Sequence, residues 1–141
     1  MPARALRTWL PSGPRHRWSA TRRVGGLIFA AGQLASDFAT GIPAEASIDP
    51  AFPFYGTTIE VQTDYVLDNI GAVLEADGSA LDRVVKSQVL LRDLKELSGL
   101  ERVWRRRFPE PPARTVVELG GHDLLVWGAR VEIYVIAEQS A

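Results

Sequence analysis

The fold is decided by the stretch from Glu110 to Ala137, EPPARTVVELGGHDLLVWGARVEIYVIA. Pro111 and Pro112 restrict φ and lack N–H donors, so the backbone that leads into Arg114 is stiff and non-helical. The β-branched run at 115–119 follows directly and predicts a strand. A single arginine, Arg114, therefore lies at the start of a predicted strand.

A second strand is predicted from Ala129 to Ala137, where apolar and polar residues alternate. The alternation predicts one face with Val131, Ile133 and Val135 and an opposite face with Arg130, Glu132 and Tyr134. Glycines bound the connection between the two strands at both ends, which favours a hairpin. In a hairpin, Arg114 and Glu132 would lie on neighbouring strands.

The bulk composition is that of one globular domain spanning residues 1–141. The chain has 141 residues, of which 46% are hydrophobic, and this is enough to bury a core. A net charge of -1 argues against a general nucleic-acid or membrane binder. The absence of cysteine excludes disulfides, cysteine nucleophiles and thiolate metal sites, and it fits a cytoplasmic protein.

The first 20 residues form a basic N-terminal extension, and no acidic residue precedes Asp37. A transit peptide and an arm for an anionic partner are two possible functions of such a segment. A short surface extension is the interpretation we favour. The reason is that Pro2, Pro11 and Pro14 interrupt any amphipathic helix.

The rest of the chain predicts two helices and two further strands. A buried strand is expected within Gly25–Ala35, a helix over Thr57–Asp77, a strand over Val84–Leu91 and a helix over Ser98–Phe108. Gly78 is expected to end the first helix, and Val85, Val89 and Leu91 are expected to share one side of the strand. This order predicts an α+β domain with both helices on one face of a single sheet. The other face requires cover, which oligomerisation provides.

Few reaction classes fit the residue patterns. His16 and His122 are far apart, and no metal-ligand spacing, phosphate-binding glycine loop or nucleophile elbow occurs. Arg114 and Glu132 remain as candidates. A guanidinium can bind a carboxylate through two parallel hydrogen bonds, and a half-buried glutamate can polarise a water molecule. A structural ion pair between the two residues explains the pattern equally well.

Four blocks of sequence resemble the Rid family (reactive intermediate deaminase, also called YjgF). They are GLIFAAGQ, VQTDYVLDNIGAVLEADGSALDRVVKSQVLLRDL, RFPEPPARTVVEL and ARVEIYVIA, within a core from about Val24 to Ala137. The resemblance implies a chorismate-mutase-like fold, with a single mixed sheet and two helices on one face. It also implies a homotrimer with a central barrel and three clefts between subunits.

The resemblance implies an activity that uses no metal and no cofactor. Family members hydrolyse enamine or imine intermediates such as 2-aminoacrylate to a 2-keto acid and ammonia. By that likeness Arg114 would hold the substrate carboxylate, and Glu132 would act on the water or on ammonia release. Gly32 matches the glycine after the first long strand. The alternative is a ligand-binding or regulatory member that holds a small carboxylate without turning it over.

Four further positions that match the family's substrate-binding residues depart from its pattern. Ala31 stands where deaminases often have serine, and Trp18 stands near a family tyrosine. Glu101 replaces an asparagine, and Val116 replaces the cysteine of some members. We predict that Ala31 and Glu101 alter the choice of substrate, because an acid beside the pocket repels a second carboxylate.

Overall fold

The computed structural model describes residues 18–36, 58–120, 124 and 128–140. Most of the basic extension, residues 1–17, lies outside the described part of the chain. The strands are β1 (Thr21–Val24), β2 (Leu27–Ala30), β3 (Gln33–Leu34), β4 (Val84–Leu91), β5 (Ala113–Glu118) and β6 (Val131–Glu138). The helices are α1 (Thr58–Ala76) and α2 (Leu97–Arg107), and short 3-10 turns occupy Leu81–Arg83 and Leu94–Glu96.

The six strands form one mixed sheet in the order β1-β2-β6-β4-β5, with β3 also paired to β6. All pairs are antiparallel except β4 and β5, which run parallel. This confirms the predicted α+β class, and the described residues form a single sheet and two helices. Neither helix combines the length and apolar character that a bilayer-spanning segment needs.

The core lies between the helices and one face of the sheet. The predicted alternation of β6 is confirmed, since Val131, Ile133 and Val135 are buried while Glu132 and Tyr134 are only partly so. The buried residues of β6 join the apolar stripes of both helices. In α1 that stripe includes Tyr65, Val66, Leu67, Ile70 and Leu74, and in α2 it includes Leu100, Val103 and Trp104.

The predicted hairpin is wrong, because β5 and β6 do not pair with each other. Strand β4 lies between them and pairs with β5 on one side and β6 on the other. Helix α2 connects β4 to β5, and a helical crossover of this kind brings the next strand back parallel to the first. The second edge of β4 is then available to β6.

Val85 also departs from its expected position. The pairing of β4 with β6 shifts register between Val84 and Lys86, and an irregularity of this kind reorients the side chain beside it. Val85 is 40% exposed, whereas Val84, Val89 and Leu91 are buried. The alternation of buried and exposed residues in β4 is therefore interrupted at Val85 and is regular from Ser87 onward.

A ladder of ion pairs joins the two helices on their outer surface. Arg102 pairs with Glu60, Arg106 with Asp64, and Arg107 with both Asp64 and Asp68. The three acids are spaced four residues apart and so share one face of α1. Each exposed ion pair of this kind contributes roughly 0.2–1 kcal/mol to stability.

Gly78 terminates helix α1 from the C′ position, as the sequence predicts. Gly78 has a φ of 78°, its N–H donates to the carbonyl of Glu75, and the N–H of Ser79 donates to the carbonyl of Leu74. These two bonds form a Schellman motif, which requires a left-handed residue at this position. Glycine adopts that conformation without steric cost.

Replacement of Gly78 by alanine should lower the free energy of unfolding by about 1–2 kcal/mol, because a Cβ is strained at positive φ. Gly71 provides a matched control in the same helix. A Cβ added there meets no atom within 4 Å, so Gly71→Ala should raise stability by up to about 1 kcal/mol. Urea denaturation of both variants at equal protein concentration measures the two changes. Equal effects of the same sign would contradict the assignment of the helix end.

Candidate functional site

Arg114 lies on the face of the sheet that carries the helices. It is the second residue of the edge strand β5, and only Ala113 separates it from Pro112. Its register partner on β4 is Ser87, whose partner on β6 is the buried Val135. Register partners project to the same side of a sheet. Arg114 therefore points from the edge of the sheet toward α2.

The Arg114 guanidinium is held by two residues of α2. Its Nη2 donates to the carboxylate of Glu101, and its Cζ lies 4.9 Å from the centre of the Trp104 ring, within cation–π range. The buried Nη1 has no hydrogen-bond partner among the residues that the structure describes. Because a buried donor without an acceptor is costly, this nitrogen is suited to an acceptor from outside the described chain.

A cleft of about 440 Å³ opens beside Arg114. One wall comes from α2 and the segment after it, and the other from the prolines that precede β5. The lining residues are Glu101, Trp104, Arg105, Phe108, Pro109, Pro111, Pro112 and Arg114. The cleft thus combines an apolar surface with two guanidinium groups and one carboxylate.

Glu132 lies on the other face of the sheet. This open face, on which neither of the two described helices packs, is defined by Phe29, Leu90, Val117, Glu132, Tyr134 and Ile136. The register partners of Glu132 are Leu34 and Leu90, which belong to a small apolar cluster. Burial in these surroundings raises the pKa of the Glu132 carboxyl above its ordinary value of 4.5.

Gly32 makes room for the Glu132 carboxylate. A Cβ added at Gly32 would overlap a carboxylate oxygen of Glu132 and would lie 3.1 Å from its Cδ. The glycine identified from the sequence therefore has a steric role in the positioning of Glu132. Any larger residue would require the flexible end of the Glu132 side chain to move.

Arg114 and Glu132 do not meet within one chain. They were predicted to lie on neighbouring strands, but β4 separates β5 from β6 and the two side chains face opposite sides of the sheet. The structural ion pair of Arg114 is formed with Glu101. A site that contains both Arg114 and Glu132 requires them to come from different chains.

The other candidate residues lie near either Arg114 or Glu132. Val116 lies on the same side of β5 as Arg114 and packs against the core. On the Glu132 side, the N–H of Ala31 donates to the carbonyl of Ala20 at 2.7 Å. This bond brings the segment of Trp18, which is 37% exposed, alongside Ala31 and Gly32.

Two sets of cleft residues had no assigned site role in the sequence. Trp104 is a buried residue of the α2 stripe, and its ring also contacts the Arg114 guanidinium. Its position three residues after Glu101 puts both side chains on one helical face, which is a signal available in the sequence. The prolines were recognised as backbone constraints, but their role as a wall depends on tertiary packing. Within the described ranges, no three or more His, Cys, Asp or Glu side chains cluster so that they could hold a metal ion.

Sequence and structure comparison identifies relatives over most of the chain. The family described as Endoribonuclease L-PSP matches residues 11–139. A RutC family protein from Saccharolobus solfataricus is 37% identical over 133 residues, which are 92% of this chain and 90% of that protein. The chloroplastic Reactive Intermediate Deaminase A of Arabidopsis thaliana is 30% identical over 121 residues, 85% of this chain and 57% of that protein.

The fold is likewise similar to that of a solved structure. The crystal structure of RidA from the Antarctic bacterium Psychrobacter sp. aligns with a TM-score of 0.69 and 28% sequence identity. The alignment covers 89% of this chain and 91% of that one. Both the sheet and the helices that carry the two groups of candidate residues lie within the matched family region.

Glu132→Gln should change how stability depends on pH. Because the pKa of Glu132 is raised in the folded chain, the unfolded chain loses this proton first, and the wild type loses stability as pH rises from about 4.5 through the raised pKa. Glutamine does not ionise. The stability of the variant relative to the wild type should therefore rise with pH across that window and stay constant above it. Denaturation from pH 4 to 8 measures the difference, with Glu75→Gln as the control for the loss of one acid. A difference that does not vary with pH would contradict burial of the Glu132 carboxyl.

Proposed function

The chain belongs to the Rid family, also called YjgF, and on that premise we propose that it hydrolyses reactive enamine and imine intermediates to 2-keto acids and ammonia. The proposal requires no cofactor. The observation that carries it is the placement of Arg114 in a cleft, with its guanidinium oriented by Glu101 and Trp104 and its Nη1 without a partner among the described residues.

Arg114 would bind the substrate carboxylate. A planar guanidinium makes charge-assisted hydrogen bonds that are stronger than neutral ones. Contact with Trp104 and the rigid proline segment fix its position before a ligand arrives. Less conformational freedom is then lost on binding, which favours affinity. The substrate class is accordingly a small imine or enamine that carries a carboxylate.

Glu132 would manage the proton of the attacking water. An enamine such as 2-aminoacrylate first becomes the imine by protonation of its terminal carbon. Water then adds to the imine carbon while Glu132 accepts a proton, and this proton passes to the nitrogen of the resulting carbinolamine. The C–N bond breaks, ammonia leaves, and the remaining hydroxyl proton is lost as the 2-keto acid forms. A carboxyl whose pKa is raised by burial is better suited to this exchange than an ordinary one.

The active assembly would be a homotrimer with sites between subunits. Within one chain Arg114 and Glu132 face opposite sides of the sheet, so a shared site needs a second copy. The open face also exposes apolar residues, including Phe29 at 43% and Val117 at 38%. Apolar surface of this kind favours association. Three copies would cover the open faces around a central barrel, as the family resemblance implies.

A second candidate is a member of the family that binds a small carboxylate without hydrolysing it. The contact between Arg114 and the internal carboxylate of Glu101 favours this alternative, because it satisfies part of the guanidinium in the absence of ligand. The same cleft would then serve for sensing or regulation. Release of ammonia distinguishes the two functions.

RNA and membranes are not among the partners we propose. The family description names an endoribonuclease, but three of the four arginines of α2 are paired with acids of α1, namely Arg102, Arg106 and Arg107. Nonspecific nucleic-acid binding depends on cations free to replace counterions. We propose action in the cytoplasm on a small molecule.

Light scattering at micromolar concentration should give a mass of about three times the 15.5 kDa chain. Val117→Lys should shift this mass toward that of a single chain, because it places a charge on the open face. Val85→Lys is a matched control, since Val85 is similarly exposed but lies at the irregular start of β4. A wild type that stays monomeric would exclude both the trimer and a site shared between chains.

Arg114→Ala should reduce affinity for a carboxylate ligand and 2-keto acid production by about 10- to 100-fold, the value of a charge-assisted contact. Arg114→Lys keeps the charge but loses the planar fork, so it should recover only part of the loss. Arg102→Ala removes an exposed arginine of α2 that does not line the cleft, and it should leave production unchanged.

The melting temperature and mass of the same variants separate chemistry from folding. A purely structural role predicts that Arg114→Ala leaves Glu101 unpaired, lowers the melting temperature and spares turnover per folded trimer. Unchanged production by Arg114→Ala would remove Arg114 from the mechanism and the proposed function with it.

A further inference from the structure

The carboxylate of Glu101 occupies one nitrogen of the arginine that would receive the ligand. Glu101 and Arg114 are both only partly exposed, with 29% and 21% of their side chains accessible. In such surroundings an ion pair is less screened than at the open surface. The Arg114 guanidinium is therefore already paired with one carboxylate before any ligand enters.

We propose that Glu101 determines specificity by selecting zwitterionic ligands, in which a protonated nitrogen lies next to the carboxylate. This rests on the proposed function, because Arg114 must take the ligand carboxylate. A simple carboxylate meets Glu101 as a like charge and must displace it or share Arg114 with it. A ligand with an adjacent cationic nitrogen can instead place that nitrogen against Glu101 and its carboxylate against Arg114.

The protonated imine of an amino acid has this pattern of charge. Its nitrogen is bonded to the same carbon as the carboxylate, so both groups can meet a Glu101–Arg114 pair whose charged atoms are in contact. The 2-keto acid product carries the carboxylate but no cation. Glu101 would hence favour the substrate over the product and assist product departure.

The remaining charged group of the cleft does not remove this preference. Arg105 lies four residues after Glu101 on the same helical face, and its side chain is exposed. Solvent screens it more strongly than the half-buried Arg114. Trp104 holds the Arg114 guanidinium in place from the ring side, so movement of Arg114 away from Glu101 is restricted.

Alanine and pyruvate are matched probes. Both carry a carboxylate, and on the adjacent carbon alanine has an ammonium group where pyruvate has a carbonyl oxygen. Isothermal titration should show that the wild type binds alanine about 10- to 100-fold more tightly than pyruvate, the value of one charge-assisted contact. Glu101→Gln keeps the shape and removes the charge. It should weaken alanine binding, strengthen pyruvate binding and bring the ratio of the two dissociation constants close to one.

Glu75→Gln is the charge-matched control, since Glu75 is an exposed acid of α1 outside the cleft. It should keep the wild-type ratio, and the melting temperature and mass confirm that each variant is folded. A ratio that survives Glu101→Gln, or a wild type that prefers pyruvate, would overturn the proposed selectivity.

Ammonia release from the imine of alanine separates this inference from the proposed function. Normal release with an unchanged ratio after Glu101→Gln overturns the selectivity alone. The expected ratio without ammonia release overturns hydrolysis and leaves the selectivity as a property of binding. Failure of the wild type to bind either probe overturns the selectivity, and failure to release ammonia as well overturns both.

Discussion

The parallel pairing of β5 with β4 is the constraint on which the arrangement of this molecule depends. A parallel neighbour cannot be reached by a tight turn, so a crossover is needed, and α2 supplies it. The crossover lays α2 over the first residues of β5. Glu101 and Trp104 consequently contact Arg114. The same pairing occupies one edge of β4 and leaves the other to β6, which sets Glu132 on the opposite face.

Two carboxylates of this chain have different surroundings and so different chemical characters. Glu101 contacts a guanidinium at the mouth of a cleft. Glu132 lies between leucines on the open face, where burial alone raises its pKa. The same residue type thus forms an ion pair at one position and has a raised pKa at another, according to its environment. Gly32 contributes by leaving space beside the second carboxylate.

The sequence predicts the elements of this fold well because local patterns encode them. The period of two in β6, the helix α1 and the glycine that ends it are all properties of short segments, and each prediction was confirmed. The partner of a strand is not local. Glycines around the connection to β6 fit a hairpin, but they equally permit a strand that crosses to the far side of β4.

The contacts of individual side chains were harder to foresee for the same reason. Val85 reads as a buried strand residue, yet an irregularity of pairing turns it outward. Trp104 reads as core and is core, but one side of its ring also supports Arg114. Glu101 was suggested as a pocket residue only by resemblance to a family, and no periodicity in the chain links it to Arg114. The approach of α2 to β5 supplies that link.

The opposite orientations of Arg114 and Glu132 have a genetic consequence in the proposed assembly. If every site takes its arginine from one subunit and its glutamate from the next, a gene copy damaged at one position still encodes a sound half of a site. Trimers that mix chains defective in Arg114 with chains defective in Glu132 would then contain one complete site each. Two inactive alleles would complement each other in the same cell, whereas two alleles damaged at the same position would not.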